Sequence, residues 1–281
     1  VRKMSGVGAW DSLSLKNGGI AASDAGQSLI DTIKTLSTIN KRLCDVDIAV
    51  KTYYQTTDTF PEADGVKMFF NKNGRLIFLA GWEGVGKSTN EIWYSDDKGA
   101  TFVQAANAAF APRHGFGWVE KDGYFYVIGG DLDNTTTERN QVWRSAVSDG
   151  LTWTLVSSTT PFENKMLFTT AILNNEVYVI GGQTISGATI LTVADRSVYK
   201  TSDFLTWTLV NTGVMPNIGN TYGTITNWNN RFWLVGGEIY GAVGTRSKKV
   251  YSTSDFLTWT THSDLPITNG VSYPNTFSAL G

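Results

Sequence analysis

The sequence predicts an all-β fold built from repeated units of four short antiparallel strands. Three features recur about every 50 residues. An apolar strand ends in a pair of small residues, a second short β segment follows, and a polar corner then leads into threonine and an aromatic residue. The apolar strands occupy residues 76–81, 124–130, 177–182 and 232–237. This period and this order of elements are typical of the blades of a β-propeller.

Composition and charge exclude several function classes before any motif is considered. The chain has 281 residues and a formal net charge of −2. Such a balance disfavours an electrostatic nucleic-acid surface. No apolar run is long enough for a membrane span, and no signal peptide is visible. The single cysteine, Cys44, cannot form an internal disulfide. We therefore expect no nucleic-acid partner, no membrane span and no cofactor.

Residues 1–46 lack the repeat and are predicted to form a helical, stalk-like segment. Ser23, Asp24 and Gln27 are typical of a helix start. A short heptad-like stripe follows, formed by Leu29, Ile33, Leu36, Asn40 and Leu43. Two interpretations remain open. The helix packs on the β domain, or it is the base of a stalk that makes a homo-oligomer such as a trimer.

The β-propeller domain is predicted to span residues 47–281. Its blades cover approximately residues 66–107, 113–158, 167–212 and 220–263, with a partial unit at 271–281. A proline precedes each new unit, where it stops the strand ladder. The ring closes in one of two ways. The last segment pairs with N-terminal strands near residues 49–56, or the chain is an excerpt of a longer polypeptide, which we favour.

Glycine pairs and tryptophans at fixed places in the repeat resemble those of kelch-type propellers. The pairs Gly129-Gly130, Gly181-Gly182 and Gly236-Gly237 are followed by Trp153, Trp207 and Trp259. The corner at residues 95–102 resembles an Asp-box, although the later corners place the aspartate three residues before threonine instead of four. The corner aspartates are Asp97, Asp149, Asp203 and Asp255. We expect their carboxylates to accept backbone N–H groups of their own turns. The resemblance implies a fold and not an activity.

The chain as a whole also resembles tail-fibre and adhesin proteins of bacterial viruses. The combination is a heptad-like helix before a propeller that is rich in threonine, asparagine and glycine. This resemblance implies a virion or extracellular surface location, with a glycan or another cell-surface receptor as the partner.

Residues 81–88 match the nucleotide-binding P-loop pattern letter for letter. A working P-loop needs a helix next, because the helix N-terminus binds the phosphates. Residues 89–95 are instead predicted to be a β segment, so we interpret the match as a coincidence.

The candidate ligand-binding face combines the loops between the second and third strands with the connections between units. Antiparallel topology places both kinds of connection on one face, and variable loops on a rigid frame are where recognition tends to occur. The candidate residues are Trp82, Glu83, Arg113, His114, Asp131, Asp133, Arg139, Glu238, Tyr240 and Arg246. Aromatic rings beside carboxylates suit sugars. The leading hypothesis is a non-enzymatic module that binds a glycan.

Two alternatives belong to other classes. A sialidase-like glycoside hydrolase fragment would need an arginine cluster with a tyrosine and acids. Arg139, Arg196 and Arg246 recur in the repeat, but at differing offsets, and ion pairing at blade edges also accounts for them. A purely structural or protein-docking propeller is the other alternative. The sequence predicts no catalytic residue and no metal site.

Overall fold

The computed structural model describes residues 65–84, 86–133, 140–162, 165–186, 189–194, 196–211, 216, 218–219, 224–239 and 242–271. All regular structure in these residues is β-strand. None of them forms a helix long and apolar enough to cross a membrane. The predicted N-terminal helix, Cys44, the strand near residues 49–56 and most of the partial fifth unit lie outside the described residues.

Four antiparallel sheets of four strands each dominate the described part, and each follows chain order from its first to its fourth strand. We call them blades I to IV. Blade I contains β1 (Lys67–Phe70), β2 (Leu76–Trp82), β3 (Ser88–Ser95) and β4 (Val103–Gln104). Blade II contains β5 (Gly117–Lys121), β6 (Tyr124–Ile128), β7 (Val142–Ala146) and β8 (Thr154–Ser157). Blade III contains β10 (Thr169–Leu173), β11 (Glu176–Ile180), β14 (Val198–Thr201) and β15 (Thr208–Asn211). Blade IV contains β17 (Thr224–Trp228), β18 (Arg231–Val235), β21 (Val250–Thr253) and β22 (Thr260–Thr261).

Two smaller three-stranded sheets add detail to the predicted loops. The connections between the second and third strands of blades III and IV were predicted to be variable loops, and each contains a β-hairpin. β9 (Lys165–Met166) pairs with a hairpin of β12 (Gln183–Ser186) and β13 (Thr189–Ala194). β16 (Ile218–Gly219) pairs with a hairpin of β19 (Glu238–Ile239) and β20 (Ala242–Arg246). The reason is the glycine pair before each hairpin. Gly181 and Gly182 have φ of 64° and 99°, which turns the chain out of the blade so that a new ladder begins.

The hydrophobic cores lie between neighbouring blades. Phe125 and Val127 of β6 pack towards blade I, against residues such as Ile77 and Leu79. Tyr126 and Ile128 of the same strand belong to the core shared with blade III. A strand that packs on both faces must be apolar at consecutive positions, and residues 125–128 of β6 are apolar and buried.

In blades I, II and IV, the small pair at the end of the second strand is bonded to the connection that follows the blade. Gly81, Gly130 and Gly237 donate their backbone N–H groups to the carbonyls of Arg113, Lys165 and Val271, at 3.3, 3.1 and 2.9 Å respectively. Val271 therefore takes the position after blade IV that Lys165 takes after blade II. These bonds gather the hairpin loops and the blade connections at one edge of the sheets.

Candidate functional site

The connection between blades I and II pairs with the chain just beyond β6. His114 and Asp131 form an isolated antiparallel bridge in which each backbone N–H donates to the other residue's carbonyl at 2.9 Å. Residues paired in this way project their side chains to the same side. Trp82, Ser88, His114, Asp131 and Asp133 meet here, and we call this group the junction site.

Ser88, the first residue of β3, links the two halves of the junction site. Its Oγ lies 2.8 Å from Nδ1 of His114. Its backbone N–H donates to a carboxylate oxygen of Asp133 at 2.6 Å. Asp133 in turn donates its own N–H to Oδ1 of Asp131 at 3.2 Å, from a left-handed backbone with φ of 59°. These bonds hold both carboxylates beside the imidazole.

Trp82 supplies the aromatic side of the site. It is the cross-strand partner of Ser88 in blade I, and its indole is half-buried. The Trp82 and His114 rings have centroids 5.8 Å apart and an interplanar angle of 32°. A broad apolar ring therefore lies next to an imidazole that is itself beside two acids.

The protonation of His114 follows from its burial. Burial lowers the pKa of His114, and the carboxylates of Asp131 and Asp133 only partly oppose this effect. The imidazole is therefore neutral at neutral pH and can offer a nitrogen lone pair. One donor atom from each of His114, Asp131 and Asp133 lies within 4.8 Å of the others. These three side chains could hold a metal ion.

Arg113, a predicted site residue, is fully buried instead of facing solvent. Its guanidinium donates to the carbonyls of Ala111 at 3.2 Å and Gly129 at 2.9 Å. It also lies 5.2 Å from the ring centroid of Phe110. Lys165 occupies the matching position in the next unit, also buried, with Nζ 2.7 Å from Ser197 Oγ. Both cations contribute to packing between blades.

The remaining predicted residues divide into two groups. Glu83 is exposed at the tip of the β2–β3 hairpin, adjacent to the junction site in sequence. Glu238 and Arg246 are backbone partners in the β19–β20 hairpin, which belongs to a separate three-stranded sheet and not to the junction site. Arg139 and Tyr240 lie outside the described residues.

The P-loop-like letters lie on the β2–β3 hairpin. β3 begins at Ser88, so the predicted β segment after these letters is confirmed. The Ser88 N–H, which a P-loop would direct to a phosphate, donates to Asp133.

The corner aspartates accept hydrogen bonds within their own turns. Asp97 accepts from the Thr101 N–H at 2.9 Å, and Asp149 accepts from the Thr152 N–H at 2.9 Å. Asp203 accepts from the Thr206 N–H at 2.7 Å. Asp255 accepts from the Thr258 N–H at 2.8 Å. The carboxylates thus close the corners between the third and fourth strands.

Two features of the site were not predicted. Ser88 was considered only as part of the P-loop match, although its hydroxyl and N–H contact both His114 and Asp133. The potential metal cluster was also missed, because His114 is far in sequence from the aspartates. The only sequence signal was Asp131 and Asp133, spaced two apart directly after a glycine pair.

Comparison with known proteins supports the fold. Neither a protein-family model nor a curated protein sequence matches the chain. A solved structure described as "Structure of YjhT" is similar, with a TM-score of 0.54 and 17% sequence identity over 76% of this chain and 69% of that chain. At this identity the likeness shows the fold alone. Together with the four four-stranded sheets, it fits a β-propeller.

Proposed function

We propose that the chain is a carbohydrate-binding β-propeller module and that the junction site contacts the sugar. The observation that carries this proposal is the position of the Trp82 indole beside His114, Asp131 and Asp133. Sugars present apolar ring faces that stack on indoles and hydroxyls that bond to carboxylates. Both kinds of group are present at this junction.

The surrounding frame supports recognition by a rigid site. His114 and Asp131 are fixed by paired backbone bonds, and Ser88 orients the imidazole. Preorganised groups lose little conformational entropy when a ligand binds. Glu83 on the adjoining hairpin is exposed.

The test is a glycan array probed with the whole chain, followed by calorimetry with the glycan that binds best. Trp82→Ala should weaken binding at least tenfold, because the stacking surface is removed. Trp228→Ala is the matched control. Trp228 is 57% exposed on blade IV and is not part of the junction site. Loss of binding in the control, with the Trp82 variant unaffected, would place the sugar elsewhere and contradict the proposal.

A sialidase-like hydrolase is the second candidate, favoured by the acids and imidazole grouped at one junction. The same samples should be incubated with a fluorogenic sialoside. Turnover that is lost in Asp133→Asn would replace the binding-module proposal with the enzymatic one.

The finer assignments are also proposals. The kelch and Asp-box resemblances are supported by the glycine pairs and by the aspartate-closed corners. A virion-surface location, as in tail fibres, is supported by the sequence resemblance. Mass spectrometry of purified particles from the source virus or cell would test the location directly.

A further inference from the structure

His114, Asp131 and Asp133 bring one imidazole nitrogen and two carboxylate groups to a single point. One potential ligand atom from each lies within 4.8 Å of the other two. Ligands around one ion at metal–ligand distances of about 2.0–2.2 Å are separated by about 3–4 Å, so only a small closure is needed. We infer that these three residues bind one divalent transition-metal ion.

The backbone already holds the ligands in place. His114 and Asp131 are tied by two N–H···O bonds of 2.9 Å, and Asp133 is tied to Asp131 by its own N–H. Ser88 Oγ contacts His114 Nδ1 and restricts rotation of the ring. Such outer contacts orient the ligands of natural metal sites.

The donor set selects the class of ion. An imidazole nitrogen suits first-row transition metals, whereas Ca²⁺ and Mg²⁺ prefer oxygen ligands. Two carboxylates balance the charge of a divalent cation. Zn²⁺ and Mn²⁺ both accept mixed nitrogen and oxygen ligands. Three protein ligands would leave a coordination position for water or for a hydroxyl of a bound molecule.

The other histidine of the chain provides an internal comparison. The chain has two histidines. His262 resembles His114 in two respects, because its Nε2 lies 2.8 Å from Ser252 Oγ and its ring centroid lies 4.5 Å from that of Trp233. Among the described residues, only the group around His114 brings three potential ligands together. The two histidines therefore differ chiefly in the carboxylate pair.

The inference is tested with Zn²⁺ alone, so the result does not depend on the proposed glycan binding. The tag-free chain is treated with a chelator, dialysed and titrated with Zn²⁺ in a calorimeter. We expect one site per chain, weakened at least tenfold in His114→Asn and in Asp133→Asn and unchanged in His262→Asn. Thermal unfolding confirms that each variant is folded.

Three outcomes would overturn the inference. The first is the absence of Zn²⁺ binding to the unmodified chain. The second is binding of equal strength in the His114 and Asp133 variants, which would indicate an adventitious surface site. The third is Ca²⁺ binding as tight as Zn²⁺ binding, which would exclude an imidazole ligand.

A measurement on the unmodified chain avoids any effect of substitution on folding. The ring signals of the two histidines can be followed in a ¹H–¹⁵N spectrum during the Zn²⁺ titration. We expect the His114 signals to shift and the His262 signals to stay in place. Equal shifts for both, or a shift for His262 alone, would contradict the assignment.

Discussion

The guanidinium of Arg113 donates to the carbonyl oxygen of Gly129 at 2.9 Å. This bond joins the connection between blades I and II to the glycine pair of blade II. Arg113 is fully buried, so it does not face a ligand in solvent. It instead helps to fix the backbone on which the junction site is built.

Replacement of Arg113 by methionine should destabilise the chain. The carbonyls of Ala111 and Gly129 would lose a buried donor, which costs about 3 kcal/mol in free energy of unfolding. Urea denaturation measures the loss. Arg246→Met is the control, since Arg246 is exposed and its replacement should change stability by less than about 0.5 kcal/mol. An Arg113→Met protein as stable as the original chain would mean that the two carbonyls find other donors, which would contradict this role of Arg113.

The hydrogen bonds that Asp255 accepts in its own turn should make the free energy of unfolding depend on pH in the acid range. The Thr258 N–H lowers the pKa of Asp255 to about 2 from an ordinary value of 3.8, and the Leu257 N–H and the Thr258 hydroxyl contribute. A pKa that is lower in the folded chain adds stability that is complete above about pH 4 and disappears as the pH falls towards 2. Asp255→Ala should therefore cost about 1 kcal/mol at pH 7, by analogy with helix caps.

The difference in unfolding free energy between the original chain and Asp255→Ala should shrink between about pH 4 and about pH 2.5. Ser254→Ala, at the exposed neighbouring position, should show no such trend. A gap that stays constant across this range would mean that the charge of Asp255 is not involved.

Phe204 should be critical for the contact between blades II and III. It is 2% exposed, and its ring stacks on Tyr126 with a centroid distance of 3.8 Å and an angle of 16°. Phe204→Ala should cost about 3–5 kcal/mol, because a large buried ring is removed. The next residue, Leu205, is 63% exposed, and Leu205→Ala should be nearly neutral. Similar thermal midpoints for the two variants would count against this packing.

Gly130 should not tolerate a side chain. It has φ of +100°, and a Cβ there would lie 2.8 Å from the carbonyl oxygen of His114. Gly130→Ala should cost about 3 kcal/mol and disturb the junction site. Gly123 has φ of +80°, but a Cβ there would have no atom within 4 Å, so Gly123→Ala should cost only about 1 kcal/mol of backbone strain. Urea denaturation measures both losses of unfolding free energy. Equal losses for the two variants would mean that the backbone near Gly130 shifts to relieve the contact with the His114 carbonyl.

The blades could be predicted because their signals are local and periodic. Alternating burial, small pairs and aspartate corners recur in each unit, so the order of strands follows from the period. The hairpins β12–β13 and β19–β20 were not predicted, because the bend at the glycine pair that starts each new ladder is a property of backbone angles. The burial of Phe204 was also missed. A signal existed, since the same eight residues, Thr-Ser-Asp-Phe-Leu-Thr-Trp-Thr, occupy 201–208 and 253–260.

The sequence was sufficient to predict which face of the fold carries the candidate residues, but not which of them lie close together. Antiparallel topology was enough to group Trp82, His114, Asp131 and Asp133 with other loop residues. Their convergence at one junction depends on how blades I and II pack, and the role of Ser88 depends on the register of β3. Burial of Arg113 also follows from that packing. Binding of a ligand by these residues stays a prediction.

The bend at the glycine pairs separates the strands that build the blade from the segments that extend beyond it. In blade III the chain leaves the sheet at Gly182 and returns at β14, so β12 and β13 do not contribute to the strand register of the blade. Residues inserted into these hairpins, or exchanged there, can change binding specificity without altering the strand register of the blade. Grafting foreign peptides there is accordingly the natural starting point for engineering this domain.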